Sequence, residues 1–342
     1  MVKFLSGLEK YWYIACRADD LRQRPRASRI LGRRLVLFRD TGGRAVALED
    51  RCLHRGAPLS QGRVCAGELE CPYHGWRYDG DGALRAIPAL AELPPLDRAH
   101  LARFPCVEQD GYVWVCLDPD PARVAPTPFA NLDQPGWTSF RMYTRFEASV
   151  TACLENFLDC PHATWVHRHW FRTPTGKPVR AVVRTRDDGA EAEYFEEPRE
   201  KSAVWWLLSP SRSEMKHTDR FIAPNTSKVD YAFSNRRHYT ITSSCTPVTD
   251  TLTDVYTVIS FRFPVFGPLV RLFFTPLSRR IIQQDVDILD ATQANNGAHD
   301  RQAMLVTPAD LLVPHILAWR RALEDITAPP PAGRETEVEL RL

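Results

Sequence analysis

Two features are scarce in this sequence: an excess of charge of one sign, and long apolar runs. The 342 residues include 44 basic and 42 acidic side chains, so the composition gives no indication of a nucleic-acid-binding surface. The most apolar stretch, residues 261–277, is interrupted by arginines and prolines, and we therefore expect no membrane-spanning helix. The first residues contain too few consecutive apolar side chains for a signal peptide.

A disulfide framework is also missing. The chain has nine cysteines, an odd number, and their spacing is not that of a small cross-linked secreted domain. We therefore expect most of the thiols to be reduced and the protein to be cytoplasmic.

Two short motifs each pair one cysteine with one histidine. Cys52 and His54 form a Cys-x-His motif, Cys71 and His74 form a Cys-x-x-His motif, and glycines and prolines surround both. Two thiolates on one iron and two imidazoles on the other can hold a 2Fe–2S cluster. Because imidazole is neutral, the potential of such a cluster is roughly −150 to +300 mV, against about −400 mV for an all-cysteine plant-type cluster. The pair of motifs resembles a Rieske cluster site.

A structural zinc site is the competing interpretation, since two cysteines and two histidines also suit tetrahedral zinc. Zinc motifs usually place two cysteines in one half and two histidines in the other, whereas each half here carries one of each. This distribution favours the iron–sulfur cluster.

A third motif follows in the second half of the chain. The segment "NFLDCPHATWVH" contains Asn156, Asp159, His162 and His167. Two imidazoles and one carboxylate on one side of a metal form the arrangement of non-heme Fe(II) oxygenases. His162 and His167 are five residues apart, about 140° on an ideal helix, but Pro161 is expected to distort the helix between them. The alternative is two ordinary histidines on an amphipathic helix.

Three acids in "IIQQDVDILDATQ" compete to supply the carboxylate. The residues three and four positions from Asp285 are all apolar, whereas those around Asp287 are mostly polar. A carboxylate on a buried stripe needs a cationic partner. We therefore predict Asp285 as the third metal ligand, and we expect Asp287 and Asp290 to face water.

The secondary-structure pattern predicts an α+β protein with two domains. Residues 1–120 contain short strand-like runs, residues 121–135 form a Pro-rich linker, and residues 136–342 combine long strands with helices. The clearest elements are strands at 34–40, 44–50, 111–119 and 139–148, a hairpin at 238–263, helices at about 151–166, 275–296 and 308–325, and a loose tail from 326.

Together these motifs make nearly the whole chain resemble a Rieske non-heme iron oxygenase of the single-subunit branch. That branch includes vanillate and dicamba O-demethylases, pheophorbide a oxygenase-like enzymes and saxitoxin-pathway hydroxylases. The resemblance implies an all-β Rieske domain, a helix-grip (START-like) α+β catalytic domain, and homotrimers. It also implies that Asp159 bridges a cluster histidine of a neighbouring subunit and an iron-ligating histidine, and that Asn156 lies near the iron.

The reaction implied is O2-dependent monooxygenation. Electrons from NAD(P)H would arrive through a separate flavin reductase, with or without a ferredoxin, and one oxygen atom would enter a C–H bond. We expect a polycyclic or heteroaromatic natural product as substrate, with O- or N-demethylation or ring dihydroxylation as alternatives. A Rieske electron carrier or ligand-binding protein without oxygenase activity is the alternative of a different class. Candidate pocket residues are Trp170, Phe171, Trp205, Trp206, Phe221, Phe233, Tyr239 and Phe263, although for any single one of them a core position is favoured.

Overall fold

The computed structural model describes residues 6–95, 100–122, 125–168, 170, 176–197, 214–263, 267–298, 305–324 and 333–342. The chain divides into two compact units, Met1–Pro128 and Phe129–Leu342. The division falls inside the segment expected to be a linker, and the limits 1–120, 121–135 and 136–342 stay predictions.

The first unit is built from short antiparallel strands because its apolar residues alternate or cluster in runs of a few residues. Three short 3₁₀ helices, Ser6–Lys10, Ala18–Asp20 and Leu59–Gln61, connect them. The strands are β1 Trp12–Arg17, β2 Arg26–Ile30, β3 Arg33–Arg39, β4 Ala45–Glu49, β5 Arg63–Cys65, β6 Glu68–Glu70, β7 Arg77–Tyr78, β8 Leu84–Ala86, β9 Arg103–Phe104, β10 Cys106–Gln109 and β11 Tyr112–Cys116.

These strands form three sheets, with the orders β1-β11-β10, β2-β3-β4-β9 and β5-β6-β7-β8. The turn between β3 and β4 contains Gly43 at a φ of 75°, a conformation that glycine adopts without strain. Val36 and Phe38 of β3 pack with Leu69 of β6 in one buried cluster that also includes Cys52 and Cys71. The core of this unit therefore extends to the cysteines of the two motifs.

Within its described residues, the second unit contains one large sheet and four helices. Its eight strands are antiparallel in the order β12-β18-β17-β16-β15-β14-β13-β19. The strands are β12 Thr138–Phe146, β13 Pro178–Arg186, β14 Gly189–Phe195, β15 Met215–Ile222, β16 Thr226–Phe233, β17 His238–Thr249, β18 Leu252–Arg262 and β19 Glu335–Arg341. The helices are α1 Val150–Phe157, α2 His162–Trp165, α3 Gly267–Ala298 and α4 Val313–Glu324. An all-β first unit followed by an α+β second unit confirms the predicted fold class.

The helix predicted at 151–166 is two helices. Ser149 caps α1, its hydroxyl accepting the Ala152 N–H, and α1 ends at Phe157. Pro161 has no N–H to continue the helical hydrogen bonds, so a short irregular segment precedes α2. The break places Asp159 outside both helices.

The long helix begins earlier than predicted. Thr275 and Pro276 looked like the start of a helix, but α3 starts at Gly267 and Pro276 lies inside it. The Thr275 hydroxyl donates to the Arg271 carbonyl, one turn back in the same helix. Val270 and Phe274 are buried against aromatic residues of the sheet, and this packing outweighs the local cap signal.

The C-terminal prediction was wrong in two respects. Helix α4 begins at Val313 rather than 308, and the tail ends in strand β19 instead of a loose segment. β19 pairs with β13 and buries Leu340, while Arg184 of β13 lies 2.9 Å from Glu335. The prolines before the strand obscured its apolar–polar alternation.

No helix in the described ranges is both long and apolar enough to cross a membrane.

Candidate metal centres and the adjoining cavity

The first two motifs occupy loops of nearly identical backbone geometry. The Cys52 N–H donates to the Ala57 carbonyl at 2.8 Å, and the Gly56 N–H donates back to the Cys52 carbonyl at 2.9 Å. The second loop has the two equivalent hydrogen bonds: the Cys71 N–H donates to the Trp76 carbonyl at 2.8 Å, and the Gly75 N–H donates to the Cys71 carbonyl at 3.1 Å. The two loops thus present their first residues, the cysteines, in the same way.

Both loops depend on a glycine with positive φ. Gly56 has φ of 72° and Gly75 has φ of 70°, values that other residues rarely adopt. A Cβ at Gly75 would also lie 3.1 Å from Pro88 Cγ. The glycine four residues after each cysteine is therefore part of the construction of the site.

The four predicted cluster residues lie at the tips of these loops. The Cys52 and Cys71 thiols are buried, and burial, together with the neighbouring Cys52, raises the pKa of Cys71. The rings of His54 and His74 lie side by side with centroids 4.6 Å apart and planes tilted by 60°. Their assignment as cluster ligands stays a prediction.

The chemistry of these donors fits a 2Fe–2S cluster. His54 Nδ1 is buried and has no hydrogen-bond partner among the residues described, an orphaned donor atom that a metal would satisfy. The Trp76 ring stacks on His54 with centroids 4.6 Å apart, which fixes the ring's orientation. Tyr78 Oη lies 3.3 Å from Cys52 Sγ and accepts the Leu53 N–H at 3.2 Å, so a hydroxyl is available beside one sulfur.

The second centre lies in the other unit, where three distant side chains converge. His162 comes from α2, His167 follows it, and Asp285 comes from the middle of α3. His162 Nε2 is 3.3 Å from His167 Nε2, while Asp285 Oδ1 is 3.1 Å from His167 Nε2 and 3.6 Å from His162 Nε2. The structure therefore brings the three predicted iron ligands together.

These separations suit a metal ion. Ligands about 2.1 Å from a metal and roughly at right angles lie about 3.0 Å from one another. His167 and Asp285 are both about 95% buried, and Asp285 Oδ1 receives no hydrogen bond within the described ranges. Three lone-pair atoms so close together repel unless a cation lies between them, so the donor set fits the mononuclear iron of a two-histidine, one-carboxylate site.

Each histidine is oriented by a hydrogen bond from its other ring nitrogen. His167 Nδ1 lies 3.0 Å from Gln284 Oε1, and His162 Nδ1 contacts the backbone carbonyl of Asp159. Acceptors on both Nδ1 atoms hold the protons there and leave the Nε2 lone pairs directed at the metal position. Gln284, one of the polar residues near Asp287 in the sequence, thus supports a predicted metal ligand.

The pKa values of the two carboxyl groups near the imidazoles are shifted. Burial opposes ionisation of Asp285, but the adjacent imidazoles outweigh it and hold the pKa of this carboxyl below its usual value. Burial raises the pKa of Asp159, against the favourable effect of His162. The two carboxylates near the imidazoles thus have opposite electrostatic environments.

The two predicted catalytic residues take different positions. The Asp159 side chain accepts the His162 backbone N–H at 3.2 Å, whereas the His162 ring contacts the Asp159 backbone carbonyl. The Asn156 side-chain oxygen is buried without a hydrogen-bond partner in the part of the chain described. Whether either residue acts in catalysis stays a prediction.

The other two acids of α3 differ in a way the sequence did not distinguish. Asp287 is exposed, as expected, and accepts a hydrogen bond from Gln283 at 2.9 Å. Asp290 is half-buried and accepts the Glu147 backbone N–H at 3.2 Å, so it does not simply face water.

A cavity of about 140 Å³ opens beside the triad. Its walls come from the helices and from the inner face of the sheet, and Asp159, His162, His167 and Asp285 line one side. The rest is largely apolar with a few hydroxyls, and includes Phe157, Val229, Tyr231, Tyr239, Ile241, Ser243, Thr257, Ile259, Ile281 and Ile282.

Of the five predicted pocket aromatics that the structure describes, one lines this cavity. Tyr239 does, whereas Phe221, Phe233, Phe263 and Trp170 are not among its lining residues. Phe233 and Phe263 pack instead in the aromatic cluster beneath α3. Phe171, Trp205 and Trp206 lie outside the described residues.

The sequence analysis also missed a group of buried polar side chains on β15 and just after β14. His217 and Asp219 alternate along β15, so both point to the buried face of the sheet, and both line the cavity. Glu197 is bonded to His217 at 2.7 Å. Two polar residues at alternate positions of an otherwise half-buried strand were the available signal.

Comparison with known families agrees with the two units. Residues 11–105 match the Rieske [2Fe-2S] domain, and residues 146–328 match the vanillate O-demethylase oxygenase C-terminal domain. The first match contains both Cys/His loops, and the second contains the whole triad.

Individual relatives match part of the chain. The putative toluene-4-sulfonate monooxygenase system iron-sulfur subunit of Comamonas testosteroni is 36% identical over 52% of this chain and 51% of its own length. The oxygenase component of dicamba O-demethylase of Stenotrophomonas maltophilia is 33% identical over 48% of this chain and 49% of its own. The chain thus spans about half the length of the curated relatives it matches.

Structural similarity covers more of the chain than these sequence matches do. A crystal structure of dicamba monooxygenase bound to dicamba covers 94% of this chain and 98% of its own, with a TM-score of 0.80 at 24% identity. That likeness concerns the fold alone, whereas the family matches carry the assignment. The chain belongs to the Rieske oxygenase family, with an N-terminal Rieske [2Fe-2S] domain and a C-terminal domain of the vanillate O-demethylase oxygenase type.

Proposed function

We propose that the protein is a Rieske-type monooxygenase that inserts one oxygen atom from O2 into a C–H bond of a small organic substrate. The observation that carries this proposal is the convergence of His162, His167 and Asp285, with separations of 3.1–3.6 Å, at the wall of a cavity. A metal centre beside a concave, mostly apolar space suits the reaction of O2 with a bound organic molecule.

Two metal groups belong to this proposal. Cys52, His54, Cys71 and His74 would hold the 2Fe–2S cluster, and His162, His167 and Asp285 would hold mononuclear Fe(II). When bound, the cluster supplies electrons and the mononuclear iron supplies the position at which O2 is activated.

The protein's own residues prepare the reaction in three ways. Gln284 and the Asp159 carbonyl fix the tautomer and orientation of the two histidines. Apolar residues of the cavity wall, such as Phe157 and Ile282, exclude water from the space beside the triad. The cavity itself positions the substrate against the metal side, which is the orientation effect that accelerates a reaction between bound partners.

The proposed reaction consumes electrons, so the oxygenase needs partner proteins that deliver them. We infer that NAD(P)H acts through a separate flavin reductase, directly or through a ferredoxin, and that the oxygenase is a homotrimer. In that assembly Asp159 would link the two metal centres of neighbouring copies, and Asn156 would lie near the iron. A cytoplasmic location is part of the proposal, because none of the nine cysteines, all of them within the described residues, forms a disulfide, and thiols persist in a reducing compartment.

The space beside the triad suits a single ring of the substrate. Its volume of about 140 Å³ is close to that of an engineered cavity of roughly 150 Å³ that binds benzene. O- or N-demethylation is the second candidate reaction, since the second unit matches the vanillate O-demethylase C-terminal domain. Hydroxylation of a methyl C–H bond begins demethylation too, so both reactions need the same placement of substrate.

Iron counting and isotope labelling test the proposal. Anaerobically prepared protein should contain three irons per chain, with the absorption and EPR of a reduced Rieske cluster. With a surrogate reductase, NADH and ¹⁸O2, a panel of monocyclic aromatic compounds should yield a product carrying one ¹⁸O atom or lacking one methyl group. A preparation with two irons per chain and no labelled or demethylated product would instead identify an electron carrier, and a colourless zinc protein would exclude both.

A further inference from the structure

The cavity has a second polar side, formed by His217 and Asp219, and Glu197 supports His217 from outside the cavity lining. His217 Nδ1 lies 2.7 Å from Glu197 Oε2, and His217 Nε2 lies 3.1 Å from Asp219 Oδ1. His217 is 1% exposed and Asp219 is 2% exposed. Both line the cavity that adjoins the metal triad.

His217 is held as a fixed cation. Its ring is stacked between Tyr194 and Tyr231, with centroid distances of 4.5 and 4.2 Å. Burial opposes protonation, but Asp219 and Glu197 outweigh it and raise the pKa of His217 to about 9. Both ring N–H groups are therefore present at neutral pH and both are already donated, so His217 has no donor left for a ligand.

Asp219 differs from His217 because its carboxylate can still accept further hydrogen bonds. A carboxylate has about four acceptor positions, and within the residues described its side chain receives one hydrogen bond, from His217. A carboxylate that is buried to this degree is unfavourable unless further donors reach it. Since Asp219 lines the cavity, a donor can reach it from a molecule bound there.

The cations of the same strand are committed elsewhere. Lys216 and Arg220 lie on the opposite face of β15, 3.1 Å from Glu193 and 2.9 Å from Asp188 respectively. Successive side chains of a strand point to opposite faces of the sheet, so these two cations cannot donate hydrogen bonds on the cavity side.

We propose that Asp219 is a specificity-determining residue that binds a protonated nitrogen group of the substrate. This inference rests on the proposed oxygenase function, because it concerns the occupant of the same cavity. The substrate class is a single-ring compound that carries an aminium or amidinium group, which reaches Asp219 while the ring lies beside the triad. His217, fixed by Glu197 and the two tyrosines, positions the Asp219 carboxylate. A substrate carboxylate in the same place would be repelled.

The competing explanation is purely structural: the three polar groups only tie β15 to the chain around Glu197. Both explanations expect Asp219→Asn to lower the melting temperature. They differ in ligand selectivity, because a structural network has no reason to distinguish an amine from a neutral group of the same shape.

The test compares three matched probes: 4-methoxybenzylamine, 4-methylanisole and 4-methoxybenzoate. Their binding to the anaerobic holoenzyme is measured by calorimetry, without turnover. We expect the wild type to bind the amine at least about tenfold more tightly than the neutral probe, the lower end expected of a hydrogen bond to a charged group, and to bind the benzoate most weakly. Asp219→Asn should remove the preference for the amine, and Asp287→Asn, the same change at an exposed position of α3, should retain it.

A wild type that binds the neutral probe or the benzoate as tightly as the amine overturns the inference, and this ranking decides even if Asp219→Asn does not fold. An unchanged amine preference in folded Asp219→Asn, with normal cluster absorption, also overturns it. Failure of the oxygenase function is separable, because it would appear as an amine that binds selectively yet yields no oxygenated or demethylated product with reductase and O2.

Discussion

The two candidate metal centres are built in contrasting ways. The four cluster residues lie within one short stretch, on two loops that repeat the same pair of backbone hydrogen bonds and the same positive-φ glycine. The triad instead combines residues around α2 with Asp285 of α3, far along the chain, and adds Gln284 to hold His167.

This difference has a physical origin. Tight turns are determined by local residue types, because glycine alone adopts positive φ without strain. A site assembled from two helices depends on how those helices pack, and packing is decided by burial over the whole unit. We therefore expect substitutions at one centre to leave the other intact, and the following experiments test that independence.

The largest effect is expected for Asp285→Ala. Loss of the carboxylate removes the third ligand, so the variant should lose the mononuclear iron and all measurable turnover while the cluster spectrum persists. Metal analysis, EPR and product assays measure the three properties. Asp287→Ala, in the same helix but exposed, is the control and should keep both metals. Loss of the cluster in Asp285→Ala would show that the centres are not independent.

Asp159→Asn should separate metal binding from turnover. The substitution keeps the backbone carbonyl that contacts His162, so most of the iron and the cluster should remain. We expect nearly all turnover to be lost, because in the proposed trimer the Asp159 carboxylate would accept a hydrogen bond from a cluster histidine of a neighbouring copy, and a neutral amide oxygen accepts such a bond more weakly. Rapid-mixing spectroscopy should show slow reoxidation of the reduced cluster with O2 and substrate. Reoxidation and product formation at the normal rate would contradict the bridging role.

Gln284→Leu should weaken iron binding without abolishing it. The leucine cannot accept the His167 Nδ1–H, so the ring is no longer held, and affinity for iron should fall by about 10- to 100-fold. Titration of the metal-free protein with Fe(II) measures this change. Gln283→Leu, the adjacent but exposed position, provides the matched control. Equal affinities in the two variants would mean that Gln284 does not orient the ligand.

The smallest effect is expected for Gly75→Ala at the other centre. The alanine must adopt a φ near 70° and approach Pro88, a strain of about 1–3 kcal/mol. Cluster occupancy should therefore decrease, as measured by absorption per chain, while Fe(II) binding to the triad stays unchanged. Gly297→Ala, which meets open space in α3, should leave both centres intact. Full cluster occupancy in Gly75→Ala would show that the loop tolerates a side chain.

The sequence predicted the strand-rich parts of the fold better than its helix boundaries. In the segments that form β3, β4, β17 and β18, apolar residues alternate with polar ones or form short runs, and this pattern is typical of strands. The start of α3 was misplaced because Thr275 and Pro276 form a good local cap, yet Val270 and Phe274 gain more by packing on the sheet. The final strand was missed because its pairing partner, β13, lies far away in the sequence.

At the candidate metal centres and the cavity, too, some features were predictable from the sequence and others were not. Residue types and spacing predicted the cysteine and histidine ligands and the choice of Asp285, because soft thiolates, imidazoles and a buried carboxylate each require a particular chemistry. Only the tertiary structure identified Gln284 as the support of His167, the Asp159 carbonyl as the acceptor from His162, and Asp219 as a carboxylate facing the cavity. These residues have no spacing rule, since each contact forms between segments that approach one another only after the sheet and α3 have packed.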